Sequence, residues 1–373
     1  MHKEYISLGL MSGTSGDGVD ASIIISDGLS KFESIKNEYY EYDNEIYDKI
    51  HYLKDKINTS KDLKKNDHEI KNLEREITIF HAKIIKGLKI DGKDSLIGFH
   101  GQTIFHDSSE KISKQLGDAN LLYQLTKNKI IYNFRKNDIQ NGGEGAPLTP
   151  IFHQLIASKI NLKLPICILN IGGISNITII KNLTETRELF SKDIGPGNCL
   201  IDNWIRKNSK KKFDENGLVA ASGEINEIIL EQAQELYLNR NFKKKLSFDV
   251  NDFDISFARG LSLADGTRTL TEFTANIIAE SLHESFSKFK VDIKDILLCG
   301  GGRKNKFLIN SIKKNINEKL NLKQIDNYKI DGDFIESQAF AFLAIRSLKN
   351  LPISFPNTTG CSRSCTGGEL IEN

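Results

Sequence analysis

The chain has 373 residues, of which 39% are hydrophobic and 27% are charged, and its formal net charge at pH 7 is +2. This ordinary globular composition excludes wholesale disorder, and the length suits two lobes better than one ordinary domain. The small net charge argues against nucleic acid or an anionic membrane surface as a partner, and no run reaches the ~18 apolar residues of a membrane span. Without a signal-peptide stretch in residues 1–5, we expect a cytoplasmic protein.

The N-terminal elements are predicted to be a strand over residues 5–11, a turn of small residues over 12–18 and a second strand over 19–26. A third strand is predicted over 32–42. Apolar residues then recur at three- and four-residue spacing, which predicts helices over 45–57 and 69–90. The remaining elements before the middle of the chain are a strand over 95–104, a helix over 119–126 and an extended segment over 130–134.

A loop that contains glycine and proline, residues 141–150, is the predicted lobe boundary. The N-terminal lobe is then residues 1–140, completed by a C-terminal helix within 334–373, and the C-terminal lobe is residues 141–333. The second lobe begins as the first does, with a strand, a turn of small residues and a strand, over 166–170, 171–176 and 177–180. We interpret this as an internal repeat of architecture.

Helices and strands continue to alternate after this repeat. Helices are predicted over residues 225–237, 267–289, from 305 onward and over 334–348, and a buried strand over 296–299. This alternation predicts α/β architecture.

The turn after the first strand has the composition of a phosphate-binding loop. Glycine allows backbone amides to converge on a phosphate, hydroxyl groups donate to its oxygens, and a carboxylate suits Mg²⁺ or its waters. A plain hairpin turn is the alternative interpretation. The residues of this turn are Ser12, Gly13, Thr14, Ser15, Gly16, Asp17 and Gly18.

Two later glycine-rich segments also suggest chemistry. Asp193 opens a segment that ends at Asn198, before a predicted helix, so it is either a base for a hydroxyl or water, or a helix cap. Gly300, Gly301 and Gly302 lie between a buried strand and a helix, where the adenosine or α-phosphate of a nucleotide fits; a tight strand–helix connection is the alternative.

Five cysteines occur, an odd number, and three of them are far apart in the sequence. Cys361 and Cys365 form a CxxxC pair, but no second pair completes a zinc set. We expect all five thiols to be reduced and non-catalytic, with a metal or disulfide role as the minor alternative.

Taken together and in order, seven segments resemble one family. This family is the anhydro-N-acetylmuramic acid kinases, which are sugar kinases of the actin-like ATPase superfold. The similar segments of this chain run from residue 9 to about residue 360. The segments are residues 9–21 (GLMSGTSGDGVDA), 100–103 (HGQT) with His106, 142–148 (GGEGAPL), 170–176 (NIGGISN), 193–198 (DIGPGN), 300–302 (GGG) with Asn305, and Glu336 with 339–344 (AFAFLA).

The resemblance implies a fold and a reaction. The fold is a two-lobed, ribonuclease H-like architecture, with a mixed β-sheet flanked by helices in each lobe and a central cleft. The reaction opens the 1,6-anhydro bridge of anhydro-N-acetylmuramic acid with water and phosphorylates O6 with ATP, with Mg²⁺ as the metal. The partners are therefore ATP and an anhydro-amino sugar, and a homodimer is also implied.

The resemblance also assigns roles to individual residues. Asp193 matches the carboxylate that deprotonates the attacking water, and Glu336 matches a second carboxylate near the site. ATP is expected at residues 12–18, at Gly172 and Gly173, and at residues 300–302 with Asn305, while Asp17 is the expected Mg²⁺ contact. The sugar is expected at His100, Gln102, Thr103 and Asn198; for the histidines, a satisfied core position is the alternative.

Four positions differ from the family pattern. Gly16 replaces a common Leu, which predicts a slightly looser loop, and Ile194 replaces a common Thr. Asn133 replaces Asp and Glu144 replaces Gln, so Mg²⁺ or sugar contacts near Asn133 are in doubt. The C-terminal segment 361–368 is less similar to the family, and it receives no role.

Two other kinds of function compete with this one. One is another small-molecule kinase or phosphohydrolase of the same superfold; of these, an acyl kinase would lack the water-activating Asp193. A non-enzymatic nucleotide switch, such as an actin or a chaperone, would need polymer-contact loops or a peptide-binding domain, and the length leaves no room for the latter.

Overall fold

A computed structural model of the chain describes residues 3–90, 95–239 and 246–372. None of the helices in these ranges is long and apolar enough to cross a membrane. The strands are β1 (Tyr5–Ser12), β2 (Gly18–Ser26), β3 (Phe32–Glu41), β4 (Leu96–Asp107), β5 (Ile112–Leu116), β6 (Lys129–Tyr132), β7 (Ile166–Ile171), β8 (Ile174–Ile180), β9 (Leu189–Pro196), β10 (Asp295–Cys299), β11 (Asn321–Gln324) and β12 (Glu369–Ile371).

The helices start where polar side chains cap the free backbone amides, as at Asp43, Asp118 and Ser262. They are α1 (Asn44–Lys56), α2 (Ser60–Lys65), α3 (Asp67–Leu88), α4 (Ala119–Thr126), α5 (Lys136–Gln140), α6 (Pro150–Lys159), α7 (Cys199–Asn208), α8 (Leu218–Ser222), α9 (Glu227–Asn239), α10 (Leu263–Phe289), α11 (Lys306–Asn315), α12 (Ile335–Leu348) and α13 (Pro356–Thr359).

Two compact units are present. The first comprises Met1–Asn161, Leu183–Phe190 and Phe334–Asn373, and the second comprises Leu162–Asn182 and Ser191–Asp333. The first unit thus extends past residue 140 and includes α6.

The two sheets have the same strand order. In the first unit the order is β3-β2-β1-β4-β6, extended by β12 and with β5 paired to β4; in the second it is β9-β8-β7-β10-β11. In each sheet the first strand of the unit pairs antiparallel with the second strand and parallel with the fourth. The predicted α/β class, with a mixed sheet duplicated along the chain, is therefore confirmed.

Most predicted elements agree with the structure, and the differences lie in short or irregular segments. The predicted turn 171–176 contains only a tight hairpin, because Ser175 and Asn176 already pair with β7. The extended segment 130–134 ends early, since Asn133 has a positive φ of 55°. The loop 141–150 ends where Pro150 begins α6. The elements that were not predicted are β5, β9, β11, β12, α2, α5, α6, α8 and α13.

Helix α12 packs directly on the middle of the first sheet. Gly9 on β1 pairs with Gly98 on β4, and both face the backbone of this helix. A Cβ atom on Gly9 would lie 1.9 Å from the carbonyl oxygen of Ser337, and one on Gly98 would lie 2.4 Å from that of Phe340. The two glycines therefore allow α12 to approach the sheet more closely than any residue with a Cβ atom would permit.

The core of the first unit includes a histidine, His81 of α3, that the apolar surroundings keep neutral. It is fully buried against Tyr42, Phe80 and Phe99, and its Nδ1 donates to the carbonyl of Ile77 over 2.8 Å. Burial lowers the pKa of His81 to about 4.

We expect this histidine to make the protein acid-sensitive. Between pH 6.5 and about 4 the unfolded chain binds a proton at His81 that the folded chain does not, so the free energy of unfolding decreases as the pH falls, by about 3 kcal/mol over this window. His81→Phe should remove the contribution of about one bound proton from the slope of the unfolding free energy against pH, as measured by urea denaturation. His68→Gln, at an exposed position of the same helix, is the control; equal slopes in the wild type and His81→Phe would contradict the assignment.

Candidate active site

The predicted site residues are distributed over both units. The first unit holds residues 12–18, His100, Gln102, Thr103 and Glu336, and the second holds Gly172, Gly173, Asp193, Asn198, residues 300–302 and Asn305. Each unit therefore carries its own set of candidate side chains.

The loop between β1 and β2 is held from inside by buried polar groups. The Ser12 hydroxyl lies 2.8 Å from the carbonyl of Gly18 and 2.7 Å from Oε1 of Gln102. Nε2 of Gln102 donates to the carbonyl of Gly13 over 2.9 Å, and both side chains are almost fully buried. Ser12 and Gln102, which were expected to contact ATP and sugar, therefore fix the shape of the loop.

Gly16 adapts this loop to its surroundings. Its φ is +65°, and an added Cβ would lie 2.8 Å from Cγ2 of Ile50 on α1. Lys54 on the same helix donates to the carbonyl of Thr14 over 2.5 Å. Gly16 therefore permits a left-handed turn against α1 that Leu would strain.

The outer side of the loop presents oxygen donors. Thr14 is exposed, and the Ser15 hydroxyl donates to the half-buried Asp17 carboxylate over 2.5 Å. Burial and the charge of Asp17 raise the pKa of the neighbouring Tyr39, which keeps its phenol protonated. A carboxylate next to hydroxyl groups is a donor set that suits Mg²⁺ and its waters, so these residues fit the implied metal.

His100 is a buried, neutral histidine that positions an arginine. Nδ1 lies 2.8 Å from the carbonyl of Gly101, and Nε2 accepts from Nη2 of Arg135 over 2.9 Å. Burial and the Arg135 charge hold the pKa of His100 well below its usual value. Arg135 also donates to the carbonyl of Gly145 over 2.7 Å. The structure thus favours the alternative of a satisfied core histidine.

Arg135 is a residue that the sequence reasoning missed as a site candidate. It lies two residues after Asn133, the position where the family commonly has Asp. The Asn133 side chain itself points away from this arrangement and donates to Glu369 over 3.0 Å.

The other two candidates in the first unit are partly accessible. Thr103 is half-buried, and its hydroxyl accepts from Nε2 of Gln115 over 3.2 Å. Glu336 is half-buried in the first turn of α12, where a carboxylate is favoured by the helix dipole.

In the second unit, two of the predicted segments are hydrogen-bonded to each other. The carbonyl of Gly172 accepts from the amide of Asn198 over 2.8 Å, and that of Gly173 accepts from Gly197 over 2.9 Å. A Cβ on Gly197 would lie 2.1 Å from the Gly172 oxygen, so only glycine fits there. The hairpin between β7 and β8 and the end of β9 therefore form one rigid structure.

Asp193 lies within a strand, not at a helix start, so the helix-cap alternative is wrong. Its backbone amide donates to the carbonyl of Leu246 over 2.8 Å, and its Oδ2 accepts from the amide of Phe248 over 2.8 Å. The side chain is 8% exposed. Asn198 precedes α7, but its side chain makes no capping hydrogen bond. Asp193 is thus a carboxylate held in a fixed orientation near the hairpin segment.

The glycine triplet packs on the end of β7. A Cβ on Gly300 would lie 2.3 Å from Oδ1 of Asn170, and one on Gly302 would lie 2.3 Å from Cγ2 of Ile171. Gly301 differs, because a Cβ there would meet no atom within 4 Å. Asn305 caps α11 by accepting from the amide of Leu308 over 3.0 Å. Packing therefore explains two of the three glycines.

Arg303 holds the triplet in place, and no sequence motif had suggested it. Its guanidinium is almost fully buried, donates to the carbonyl of Gly300 over 3.0 Å and forms ion pairs with Asp326 and Asp333. Two carboxylates around one buried arginine compensate the loss of its hydration.

Comparisons with known proteins identify one family. Over residues 4–373 the chain matches the family model described as anhydro-N-acetylmuramic acid kinase. The anhydro-N-acetylmuramic acid kinase of Pelagibacter ubique (strain HTCC1062) is 54% identical over 375 residues, with 100% of both chains covered. That of Zymomonas mobilis is 35% identical, with 98% of this chain and 99% of the relative covered.

Solved structures are more distant. A ROK family glucokinase from Streptomyces griseus in complex with glucose and AMPPNP has a TM-score of 0.43 at 10% identity, covering 91% of this chain and 99% of that chain. The activator of the 2-hydroxyisocaproyl-CoA dehydratase from Clostridium difficile with bound ADPNP has a TM-score of 0.40 at 12% identity, covering 94% of this chain and 96% of that chain.

Proposed function

The chain belongs to the anhydro-N-acetylmuramic acid kinase family, as the motifs of the sequence indicated, and on that premise we propose how its residues perform the reaction. The enzyme is a phosphotransferase with an alcohol acceptor. It opens anhydro-N-acetylmuramic acid with water and phosphorylates O6 with ATP, giving N-acetylmuramic acid 6-phosphate and ADP.

Asp193 is the general base of this reaction. It takes a proton from water, the water oxygen bonds to C1 as the C1–O6 bond breaks, and O6 accepts the γ-phosphoryl group as the bond to ADP breaks. The observation that carries this assignment is the position of Asp193 on strand β9, four residues before Gly197, which packs on the hairpin, with Oδ2 fixed by the Phe248 amide. A base in a fixed orientation avoids the entropy cost of finding the water.

The phosphates of ATP bind two hairpins. Residues 13–18 supply backbone amides and the hydroxyls of Thr14 and Ser15, while Gly172 and Gly173 supply the second hairpin. Asp17 is the residue that would hold Mg²⁺, which would supply charge neutralisation for phosphoryl transfer. Residues 300–302 with Asn305 receive the adenosine part of the nucleotide.

The sugar contacts divide into direct and indirect ones. Thr103 and Asn198 are the direct candidates, and Glu336 is the second carboxylate of the site, from the first turn of α12. His100 and Gln102 act indirectly, since His100 orients Arg135 and Gln102 orients the loop carbonyl of Gly13.

The reaction is tested with purified enzyme, ATP and anhydro-N-acetylmuramic acid. We expect one sugar 6-phosphate and one ADP for each sugar consumed, read by mass spectrometry and a coupled ADP assay. In ¹⁸O-water the label should enter at C1 and not at O6. Hydrolysis of ATP without consumption of the sugar would overturn the kinase function, and label at O6 would overturn the role of water at C1.

Gly301 provides a test of the adenosine segment. Because a Cβ at this position meets no protein atom, Gly301→Ala should leave the melting temperature unchanged. If the nucleotide passes over this residue, the added methyl group should raise the KM for ATP roughly 10-fold while the KM for the sugar stays constant. Steady-state kinetics with each substrate varied in turn measures both. An unchanged KM for ATP would place the adenosine elsewhere.

The organisation of the protein carries three further proposals. The enzyme forms a homodimer, it is cytoplasmic, and its two functional lobes correspond to the two compact units. Sedimentation equilibrium tests the dimer, and a monomer at all concentrations would reject it.

A further inference from the structure

The CxxxC pair of the C-terminal segment lies beside a third potential metal ligand. The thiols of Cys361 and Cys365 and the carboxylate of Asp138 have ligand atoms that all lie within 4.8 Å of one another. The three residues are 2%, 3% and 1% exposed, and all five cysteines of the chain are free thiols. Asp138 is far from both cysteines in the sequence, so no local motif could reveal this cluster.

The Asp138 carboxylate is buried without a cationic side chain among the described residues. Its Oδ2 accepts from the amide of Gly145 over 2.7 Å, and its Oδ1 accepts from the hydroxyl of Thr359 over 2.6 Å. It forms no ion pair with lysine, arginine or histidine in the described chain. A buried carboxylate with no counter-charge is costly, and a bound cation is the simplest compensation.

From this cluster we propose that Asp138, Cys361 and Cys365 bind a divalent, thiolate-preferring cation, of which Zn²⁺ is the first candidate. Two sulfur ligands and one carboxylate oxygen are ligands that zinc accepts, with water in the fourth position. A tetrahedral zinc ion separates such ligand atoms by about 3.5–3.8 Å, so the side chains need only small movements to close on it. Binding converts both thiols to thiolates and releases two protons to solvent.

The surroundings of the cluster already resemble the support of a metal site. The hydrogen bonds from Thr359 and Gly145 orient the Asp138 carboxylate, as partners of metal-binding carboxylates do.

The consequence of binding is structural. The C-terminal segment is joined to residues 137–145 by several hydrogen bonds, among them Asn137 to the carbonyl of Thr366 over 2.6 Å and the amide of Glu144 to the carbonyl of Thr359 over 2.8 Å. A metal held by Asp138 on one side and by the two cysteines on the other fastens these segments together. The same loop carries Gly145, whose carbonyl accepts from Arg135.

The experiment uses the full chain, reduced and freed of metal by a chelator. Titration with Zn²⁺ against a chromophoric chelator should show one tight equivalent, and Co²⁺ should give a thiolate-to-cobalt charge-transfer band. In Cys361→Ser/Cys365→Ser the zinc affinity should fall at least ~100-fold and the band should disappear. Zinc should raise the melting temperature of the wild type by roughly 5 °C and leave that of the double variant unchanged.

Controls make the result unambiguous. Cys167→Ala removes a buried thiol from β7 in the other unit and should bind zinc like the wild type. If the double variant does not fold, the cobalt spectrum of Cys365→Ser should show loss of one thiolate contribution. Absence of zinc binding by the wild type, equal affinity in Cys361→Ser/Cys365→Ser, or purification of the chain two hydrogens lighter as a Cys361–Cys365 disulfide without metal would overturn the proposal.

Discussion

Asp193→Asn should reduce kcat by about 100-fold or more while the affinity for ATP changes little. The amide of Asn has nearly the shape of the carboxylate and can still accept from the Phe248 amide, so the strand should keep its structure. Asn cannot take a proton from water, and loss of a general base usually costs about 10²-fold or more. Stopped-flow or coupled assays give kcat, and a fluorescent ATP analogue gives the affinity for nucleotide.

Asp295→Asn is the matched control for this prediction. Asp295 is a carboxylate in the same sheet, at the start of β10, and it forms an ion pair with Lys323 over 2.8 Å. It lies at the opposite end of β10 from Cys299 and the glycine triplet. Its removal should cost little stability and no activity. Asp193→Asn turnover above about a tenth of the wild-type value would rule out the base assignment.

The two sheets were predictable because the sequences of their central strands are mostly apolar. Apart from Asn170 and Asp295, strands β7 and β10 consist of buried apolar residues, as expected for strands covered on both faces. Strand β9 was missed because Lys192, Asp193 and Gly195 interrupt its apolar pattern. This strand forms hydrogen bonds with partners that are distant in the sequence, including Leu246. The β-strand propensity of its own residues does not reveal such contacts.

The candidate site shows a similar division. The sequence singled out residues 12–18, 100–103 and 193–198 as site candidates, but it did not indicate whether each side chain faces a ligand or the protein. Gln102 has the amide expected of a sugar contact, yet both of its polar ends are used inside the first unit. Residue type limits the possible chemistry, whereas only the hydrogen-bond partners decide the role.

Substitution of Gly9 by alanine should severely destabilise the first unit. The added methyl group would lie 1.9 Å from the Ser337 oxygen and 2.6 Å from the Ala341 nitrogen, both of them backbone atoms of α12 that cannot change rotamer. The helix must therefore move away from β1, and we expect a loss of about 3 kcal/mol or more in the free energy of unfolding, measured by urea denaturation. Ser337 follows Glu336 directly, so activity should fall as well.

Gly98→Ala and Gly87→Ala separate this packing effect from the general properties of glycine. A Cβ on Gly98 would lie 2.4 Å from the Phe340 oxygen, so it should reproduce the loss, whereas Gly87 lies exposed in α3, where an added Cβ would meet no atom within 4 Å. Gly87→Ala should therefore stabilise the protein by roughly 0.5–1 kcal/mol, since alanine is the better helix former. If Gly9→Ala unfolds within about 1 kcal/mol of the wild type, the contact of α12 with the sheet is adjustable, and the position of Glu336 does not depend on a glycine at this crossing.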